Sequence, residues 1–438
     1  MSFPSVYLKT FGCQMNVNDS QHMLNLLAAH GYVPTPTPDK ADLLLVNTCS
    51  VREKSEQKFY SLLGRLISLR KSASVLLCVG GCVAQQEGEK LLERFPYVDV
   101  IFGTGSISRL PMLVEKARKT GKVQIDTSFE DEFLSVAGSN GSIASDIKAF
   151  LTIMKGCNNF CSFCVVPYVR GREKSRPSGE ILREAEHLVG SGVKEITLLG
   201  QNVNSYGQTC SGEVTFPELL RKINGIPGLH RIRFTTSHPK DLSQDLIRCF
   251  GELEKLCPHL HLPLQSGSTR ILKMMNRGYT REGYRDLIQR LRAVCPHIAI
   301  TTDIIVGFPG ETETDFQETV DIVHEIEYDE FYSFKYSDRP NTRASKSLTK
   351  VSDKEKARRL SLLQEVQKHI TLRKNRRLVG NTAEVLVEGC SKTNAKRLTG
   401  RSGSNKVINF EGLPELRGKL VQVEITEAFL HSFLGRRV

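Results

Sequence analysis

Short apolar runs alternate with amphipathic stretches through the first quarter of the chain. SVYLKTF (5–11), ADLLLVN (41–47) and SVLLCVGG (74–81) have the continuous apolar character of buried parallel strands bounded by turn residues. SQHMLNLLAAHG (20–31) spaces its apolar residues as a helix does and stops at Gly31. This alternation over 4–120 predicts an open parallel α/β sheet. The polar stretch 121–145, with FEDEF and GSNGS, breaks the pattern and reads as a linker.

A second alternation follows. Its strands are AFLTIMKG, EITLLGQN, RIRFTTSH, LHLPLQSG, AITTDIIVGFPG and EFYSFKYS, separated by helical segments such as GEILREAEHLVGSG and TREGYRDLIQRLRAV. Six β/α units predict an incomplete parallel (β/α)6 barrel over 143–374, with its chemistry at the C-terminal strand ends. Residues 351–379 form a basic amphipathic helix. TAEVLVEG, AKRLTGRS, KVINFEG and KLVQVEITEA then alternate as short strands with glycine-containing turns, predicting a small antiparallel β-barrel over 376–438. The chain is therefore expected to be α/β with three domains, 4–120, 143–374 and 376–438.

Composition sharpens the picture in two respects. Twelve cysteines in 438 residues are too sparse for a disulfide scaffold and point to metal binding or catalysis in a reducing compartment. The net charge is +12, and residues 351–438 hold 18 Lys/Arg against 9 Asp/Glu, so the tail suits a polyanionic partner. No apolar run approaches the roughly 18–20 residues of a membrane span, and MSFPSVYLKTFGC lacks the basic and apolar regions of a signal peptide. A cytoplasmic address is expected.

The strongest chemical signal is KGCNNFCSFCVVPYVRG, with Cys157, Cys161 and Cys164 spaced C-x3-C-x2-C after the first barrel strand. Thiolates are the ligands iron–sulfur clusters prefer, and three of them leave one iron of a 4Fe–4S cube open. A zinc knuckle would need a fourth ligand. The next histidine, His187, lies inside a helix. Cys13, Cys49 and Cys82 are far apart in sequence, yet each lies just past the end of a strand, and in a parallel open sheet those ends face one crevice. The fold, rather than the spacing, would gather them. Cys78, Cys210, Cys249, Cys257, Cys295 and Cys390 show no ligand pattern.

LLGQNVNSYG and DIIVGFPGET lie at strand ends, and Gln201 and Asn202 are candidates to face a substrate or cofactor. Arg170 and Arg172, past the cysteine loop, suit a carboxylate or phosphate partner. Arg401 and Lys406, in GRSGSNKVINF, are candidate RNA contacts.

With FGCQMNVNDS, NTCSVREKSEQK, GGCVAQ, CNNFCSFCVVPYVRGRE, LLGQNVNSYG, HLPLQSGS, DIIVGFPGET and GRSGSNKVINFEG in place, the chain resembles the methylthiotransferases, a two-cluster branch of the radical S-adenosylmethionine superfamily. The resemblance spans almost the whole length. It implies that S-adenosyl-L-methionine chelates the open iron held by Cys157, Cys161 and Cys164, with Phe163 near the adenine. It implies a second 4Fe–4S cluster on Cys13, Cys49 and Cys82, and a C-terminal RNA-binding barrel of the TRAM type. The expected substrate is tRNA, gripped at the anticodon arm and methylthiolated at C2 of N6-isopentenyl(dimethylallyl)adenosine, with a one-electron reductant such as a flavodoxin or ferredoxin and a monomeric enzyme. An aromatic C–H is beyond general acid–base catalysis, which adds about 10²–10⁴-fold, so a radical route is required. Relatives acting on threonylcarbamoyl adenosine or on a ribosomal-protein aspartate, and a non-catalytic iron–sulfur RNA-binding regulator, are the alternatives. One departure is RPNTRAS, where relatives often carry Gly at Asn341.

Overall fold

The computed structural model describes residues 3–50, 53–69, 75–129, 133, 147–392 and 394–438, so most of the expected linker lies outside the described residues. The first domain runs β1 (Ser5–Thr10), α1 (Gln14–Ala29), β2 (Val33–Pro34), β3 (Leu43–Thr48), α2 (Glu53–Leu69), β4 (Leu76–Gly81), α3 (Cys82–Glu87), α4 (Lys90–Arg94), β5 (Val100–Phe102), α5 (Leu110–Thr120) and β6 (Gln124–Asp126). The six strands pair in parallel in the order β2-β1-β3-β4-β5-β6. Successive side chains of a strand point to opposite faces. Leu43, Leu45 and Cys78 therefore pack with α1 and α5, while Leu44, Val46 and Val79 pack under α2. β6 lies within the stretch read as linker, because three residues, too few to show a period, were enough to add an edge strand.

The second domain runs β7 (Lys148–Thr152), β8 (Met154–Lys155), α6 (Val166–Val169), β9 (Lys174–Ser175), α7 (Ser178–Gly190), β10 (Glu195–Leu199), α8 (Phe216–Asn224), β11 (Arg231–Phe234), α9 (Gln244–Glu252), β12 (His259–His261), α10 (Thr269–Met274), α11 (Arg281–Val294), β13 (Ala299–Val306), α12 (Glu313–Ile326), β14 (Glu330–Lys335) and α13 (Asp353–Arg376). β7, β10 and β11 form one parallel half, and β12, β13 and β14 the other, linked by a bridge from Ile232 to Leu256. Among the described residues nothing pairs β14 back to β7, so the expected six-stranded arc stays open.

The third domain is a closed barrel of β15 (Thr382–Cys390), β16 (Arg397–Ser402), β17 (Val407–Glu411), β18 (Leu420–Ala428) and β19 (Phe433–Arg437), in the order β15-β16-β17-β19-β18. Two details correct the antiparallel expectation. A fifth strand, FLGRR, closes the barrel, and β17 pairs with β19 in parallel.

The tail docks on the second domain in a way its charge did not foretell. Ile232 and Phe234 pack into the helix-side core, so the alternate residues Arg231 and Arg233 point into the arc. There Arg231 donates to the carbonyls of Arg401 (2.6 Å) and Glu384 (3.0 Å). Arg233 donates to those of Ser402 (2.7 Å) and Gly403 (2.8 Å) and pairs with Glu195. Lys148, at the start of β7, pairs with Glu388 at 2.8 Å, and Lys406 reaches Asp329, just before β14, at 3.2 Å. The small barrel thus plugs the N-terminal mouth of the arc, the end opposite the catalytic strand ends.

The basic helix is corrected too. α13 packs along α12 and β14, and much of its charge is matched by acids of the second domain. Buried Arg359 pairs with Glu311 (2.7 Å), Lys374 with Asp329 (2.8 Å), Arg358 with Glu313, and Arg373 with Glu327. It is a strap on the second domain as much as an exposed cationic face. Asn341 adopts a left-handed φ of 64°, a conformation that glycine takes freely and asparagine tolerates better than most residues.

Candidate iron–sulfur centres

Each of the three N-domain cysteines begins a strand-to-helix connection at the same edge of the sheet. Cys13 is the N-cap of α1, Cys49 follows β3 and Cys82 opens α3. Their loops interlock through polar side chains. The Asn16 amide donates to the carbonyls of Phe11 (3.0 Å) and Thr48 (2.6 Å), and its oxygen lies 3.7 Å from the Cys13 thiol. The Thr48 hydroxyl accepts from the amides of Val83 (3.1 Å) and Ala84 (3.4 Å), tying the Cys49 loop to the start of α3. Gly81, at φ 93°, must be glycine, since a Cβ there would lie 2.4 Å from Asn47 Oδ1 and 2.5 Å from the Thr48 carbonyl. Gly12 is held likewise, against Cys49. Cys49 and Cys82 are buried and Cys13 is exposed, giving a crevice with one open side.

Cys157, Cys161 and Cys164 occupy the loop after β7 and β8, at the C-terminal side of the arc. Gln201, after β10, accepts from the Gly156 amide and so braces the base of this loop. Asn202 is buried, donates to Asp241 at 2.7 Å, and leaves its Oδ1 without a partner. Phe163, next to Cys164, packs against the cluster of Ile271, Met275, Phe308, Tyr336 and Ala344. Arg172 lies over the Phe160 ring. Glu311 of the VGFPGE turn is tied to Arg359 and the Gly307 amide instead of facing the mouth.

The donor set fits a cluster. All twelve cysteines are free thiols. Each sulfur of the radical triad has an N–H directed at it: Asn159 N to Cys157 (3.5 Å), Val166 N to Cys164 (3.5 Å) and Arg277 Nη1 to Cys161 (3.3 Å). Such donors stabilise thiolate ligands. Burial pushes the Cys157 thiol up and that of Cys164 up to about 12. Among the described residues no three His, Cys, Asp or Glu side chains converge on one ion, whereas a cube offers a separate iron to each thiolate. His187 is exposed on α7, remote from any zinc role.

The two triads are joined through Arg170. It follows the radical loop yet is buried against the N-domain, pairing with Asp19 at 2.7 Å and donating to Asn16 at 2.9 Å. Burial opposes its charge, but Asp19 and the sulfurs of Cys82 and Cys13 outweigh that and hold it protonated. Cys82 itself packs against Val165, the residue after Cys164, and Val169. Asn16 and Asp19 were not singled out from the sequence, although both lie on the buried face of α1 in FGCQMNVNDS. Polar residues on a buried helix face were the available signal. Arg170→Met is expected to cost about 3–5 kcal/mol by stranding the Asp19 carboxylate, with Asp19→Asn in the same chain recovering much of it. Equal melting temperatures for the single and double variants would refute the coupling.

Arg401 and Lys406 are placed otherwise than a free RNA contact would be. Arg401 is half-buried, donating to Asn405 and pairing with Glu388, and Lys406 is turned to Asp329 and Asn375 at the domain junction.

An open parallel arc carrying three cysteines beyond its first strand defines the radical S-adenosylmethionine class, and the chain matches the Radical SAM superfamily over residues 151–323. It also matches Uncharacterized protein family UPF0004 over 5–103 and the TRAM domain over 376–436. Solved structures agree on the fold. A radical S-adenosylmethionine methyltransferase, TsrM, from Kitasatospora setae aligns with a TM-score of 0.57 at 13% identity, covering 78% of this chain and 75% of that one. Similar over nearly their full lengths are tRNA-2-methylthio-N(6)-dimethylallyladenosine synthases of Syntrophus aciditrophicus (strain SB), 51% identical over 98% of this chain and 94% of that one, and of Geobacter metallireducens (strain ATCC 53774 / DSM 7210 / GS-15), 50% identical over 98% and 97%. The chain belongs to the tRNA-2-methylthio-N(6)-dimethylallyladenosine synthase family.

Proposed function

We propose that this chain is a tRNA methylthiotransferase that places a methylthio group on C2 of N6-dimethylallyladenosine beside the anticodon. The observation that carries the reading is the contact between the two cysteine-bearing loops, where Cys82 packs against Val165, next to Cys164, and Arg170 pairs with Asp19. Cys157, Cys161 and Cys164 hold one 4Fe–4S cluster and Cys13, Cys49 and Cys82 the other. When bound, the first supplies the electron that cleaves S-adenosyl-L-methionine, and the second the sulfur site. The chain's own residues do the rest. Gln201 and the Asn159 and Val166 amides hold the radical loop, and Phe163 offers an apolar wall.

A one-electron donor such as a flavodoxin or ferredoxin, a monomeric state and a cytoplasmic location complete the proposal. A tRNA substrate supports the last, and among the described residues no helix is long and apolar enough to cross a membrane. The test is mass spectrometry of tRNA nucleosides from a strain lacking the endogenous enzyme, complemented with this chain. The 2-methylthio derivative of dimethylallyladenosine should reappear. Restoration of methylthiolated threonylcarbamoyl adenosine instead, or of neither nucleoside by an iron-replete protein, would overturn the substrate assignment.

A further inference from the structure

The connection between α10 and α11 is a clamp on the radical cysteine loop. The Met274 and Met275 carbonyls accept from the hydroxyl and amide of Ser162, both at 2.9 Å. Asn276, at φ 60°, turns its amide onto the carbonyls of Asn159 (3.0 Å) and Phe160 (3.2 Å). Arg277 comes next. It is 5% exposed, and every one of its partners is fixed: Nη1 donates to Cys161 Sγ at 3.3 Å, Nη2 to the Pro263 carbonyl at 3.1 Å and Nε to the Tyr279 hydroxyl at 3.0 Å. The Tyr279 hydroxyl is anchored in turn on the carbonyls of Pro263 and Leu264.

What this arrangement lacks is an anion. Among the described residues no carboxylate pairs with Arg277. Among the described residues the other buried arginine side chains are matched: Arg170 by Asp19, Arg176 by Glu184, Arg231 by Glu384, Arg233 by Glu195 and Arg359 by Glu311. A guanidinium cannot shed its charge, and a buried one without a counter-charge is strongly unfavourable. A neutral Cys161 thiol would not supply that charge. A thiolate on an iron–sulfur cluster would.

We propose that Arg277 is the counter-ion of the cluster on Cys157, Cys161 and Cys164, a positioning residue that raises the cluster's reduction potential through Cys161 Sγ. The proposal rests on the reading that this triad holds a cluster. Its sign follows from charge alone. A fixed positive charge and an N–H donor at a ligand sulfur favour the form carrying the extra electron. The cluster must work at a low potential, and Arg277 keeps it within reach of a reductant while the clamp keeps the loop in register. The neighbouring Asn276 contributes only geometry, because its amide meets carbonyls and not sulfur.

The test uses the full chain carrying Cys13→Ala, Cys49→Ala and Cys82→Ala, so that only the radical cluster reports. Iron content and the midpoint of a reductive titration followed by electron paramagnetic resonance are compared for this parent, Arg277→Lys and Arg277→Gln. The parent should hold about four irons. The Gln variant, which keeps N–H donors but loses the charge, should titrate at a more negative midpoint, and the Lys variant should lie between it and the parent. Retention of iron by Lys together with its loss from Gln would also support the counter-ion role, since the two differ in charge. Iron-loaded Lys and Gln variants sharing the parent's midpoint would overturn it, as would loss of iron from both, which assigns Arg277 to loop structure alone. A parent that binds no iron would instead overturn the cluster reading on which the proposal stands.

Discussion

Replacing Cys13, Cys49 and Cys82 together with alanine is expected to leave an enzyme that cleaves S-adenosyl-L-methionine under dithionite but forms no methylthio product, with iron falling from about eight to about four per chain. The three side chains sit in the N-domain crevice. The radical loop is braced from its own domain by Gln201, Ser162 and Asn276. Removing the N-domain sulfurs therefore takes away one cluster without loosening the other. Alanine at Cys49 and Cys82 is also tolerable sterically, since both are buried and small. The converse change, Cys157→Ala, should abolish both cleavage and product, because the proposed assignment puts electron transfer and sulfonium binding on the cluster that Cys157, Cys161 and Cys164 would hold. Product counted against 5′-deoxyadenosine in anaerobic assays checks both. Methylthio product from Cys157→Ala would sink the division of labour, and full iron in the triple variant would sink the N-domain assignment.

Truncation after residue 375 should be more damaging than a simple loss of an RNA-binding module. It removes the carbonyl acceptors of Arg231 and Arg233, the Glu388 partner of Lys148 and the Lys406 partner of Asp329. Hydrogen bonds to buried charged groups are worth about 1.5–3 kcal/mol each, and about 2–4 °C of Tm accompanies each kcal/mol in a domain of this size, so a fall of roughly 5 °C or more is expected. The N-terminal mouth of the arc would then open to water. The truncated protein should also bind tRNA less tightly, with a shallower dependence on salt, because fewer phosphates are neutralised. Much of the charge on α13 is matched by Glu311, Glu313, Glu327 and Asp329, so the loss of salt dependence should follow the exposed lysines and arginines of the barrel more than the helix. Calorimetry and binding at two salt concentrations separate these effects. An unchanged Tm would refute the plug, and an unchanged affinity and salt slope would remove the RNA role of residues 381–438.

Three kinds of information were legible along the chain. The radical triad was readable because C-x3-C-x2-C is a local spacing, carried on one loop. The parallel sheets were readable because apolar runs repeat at strand length. The grouping of Cys13, Cys49 and Cys82 rested on the fold alone, on the rule that parallel strands end on one edge. Short, weakly patterned pieces escaped: β6 has three residues, and FLGRR in β19 alternates too briefly to stand out.

The amino-acid sequence by itself determined the family, the cysteine loops that stand as candidate ligands and the order of sheet, arc and barrel, because each depends on residue type and on pattern along the chain. The tertiary structure alone decided where the charges go. Net charge marked the tail as a cation, but pairing across more than forty residues turned Arg359, Arg373 and Lys374 into fastenings of the radical core. It placed Arg170 between the two cysteine loops and left Arg277 against Cys161 with no carboxylate partner among the described residues. Such assignments depend on which surfaces meet once the chain is folded. Burial, by removing water as the alternative partner, then makes each meeting count.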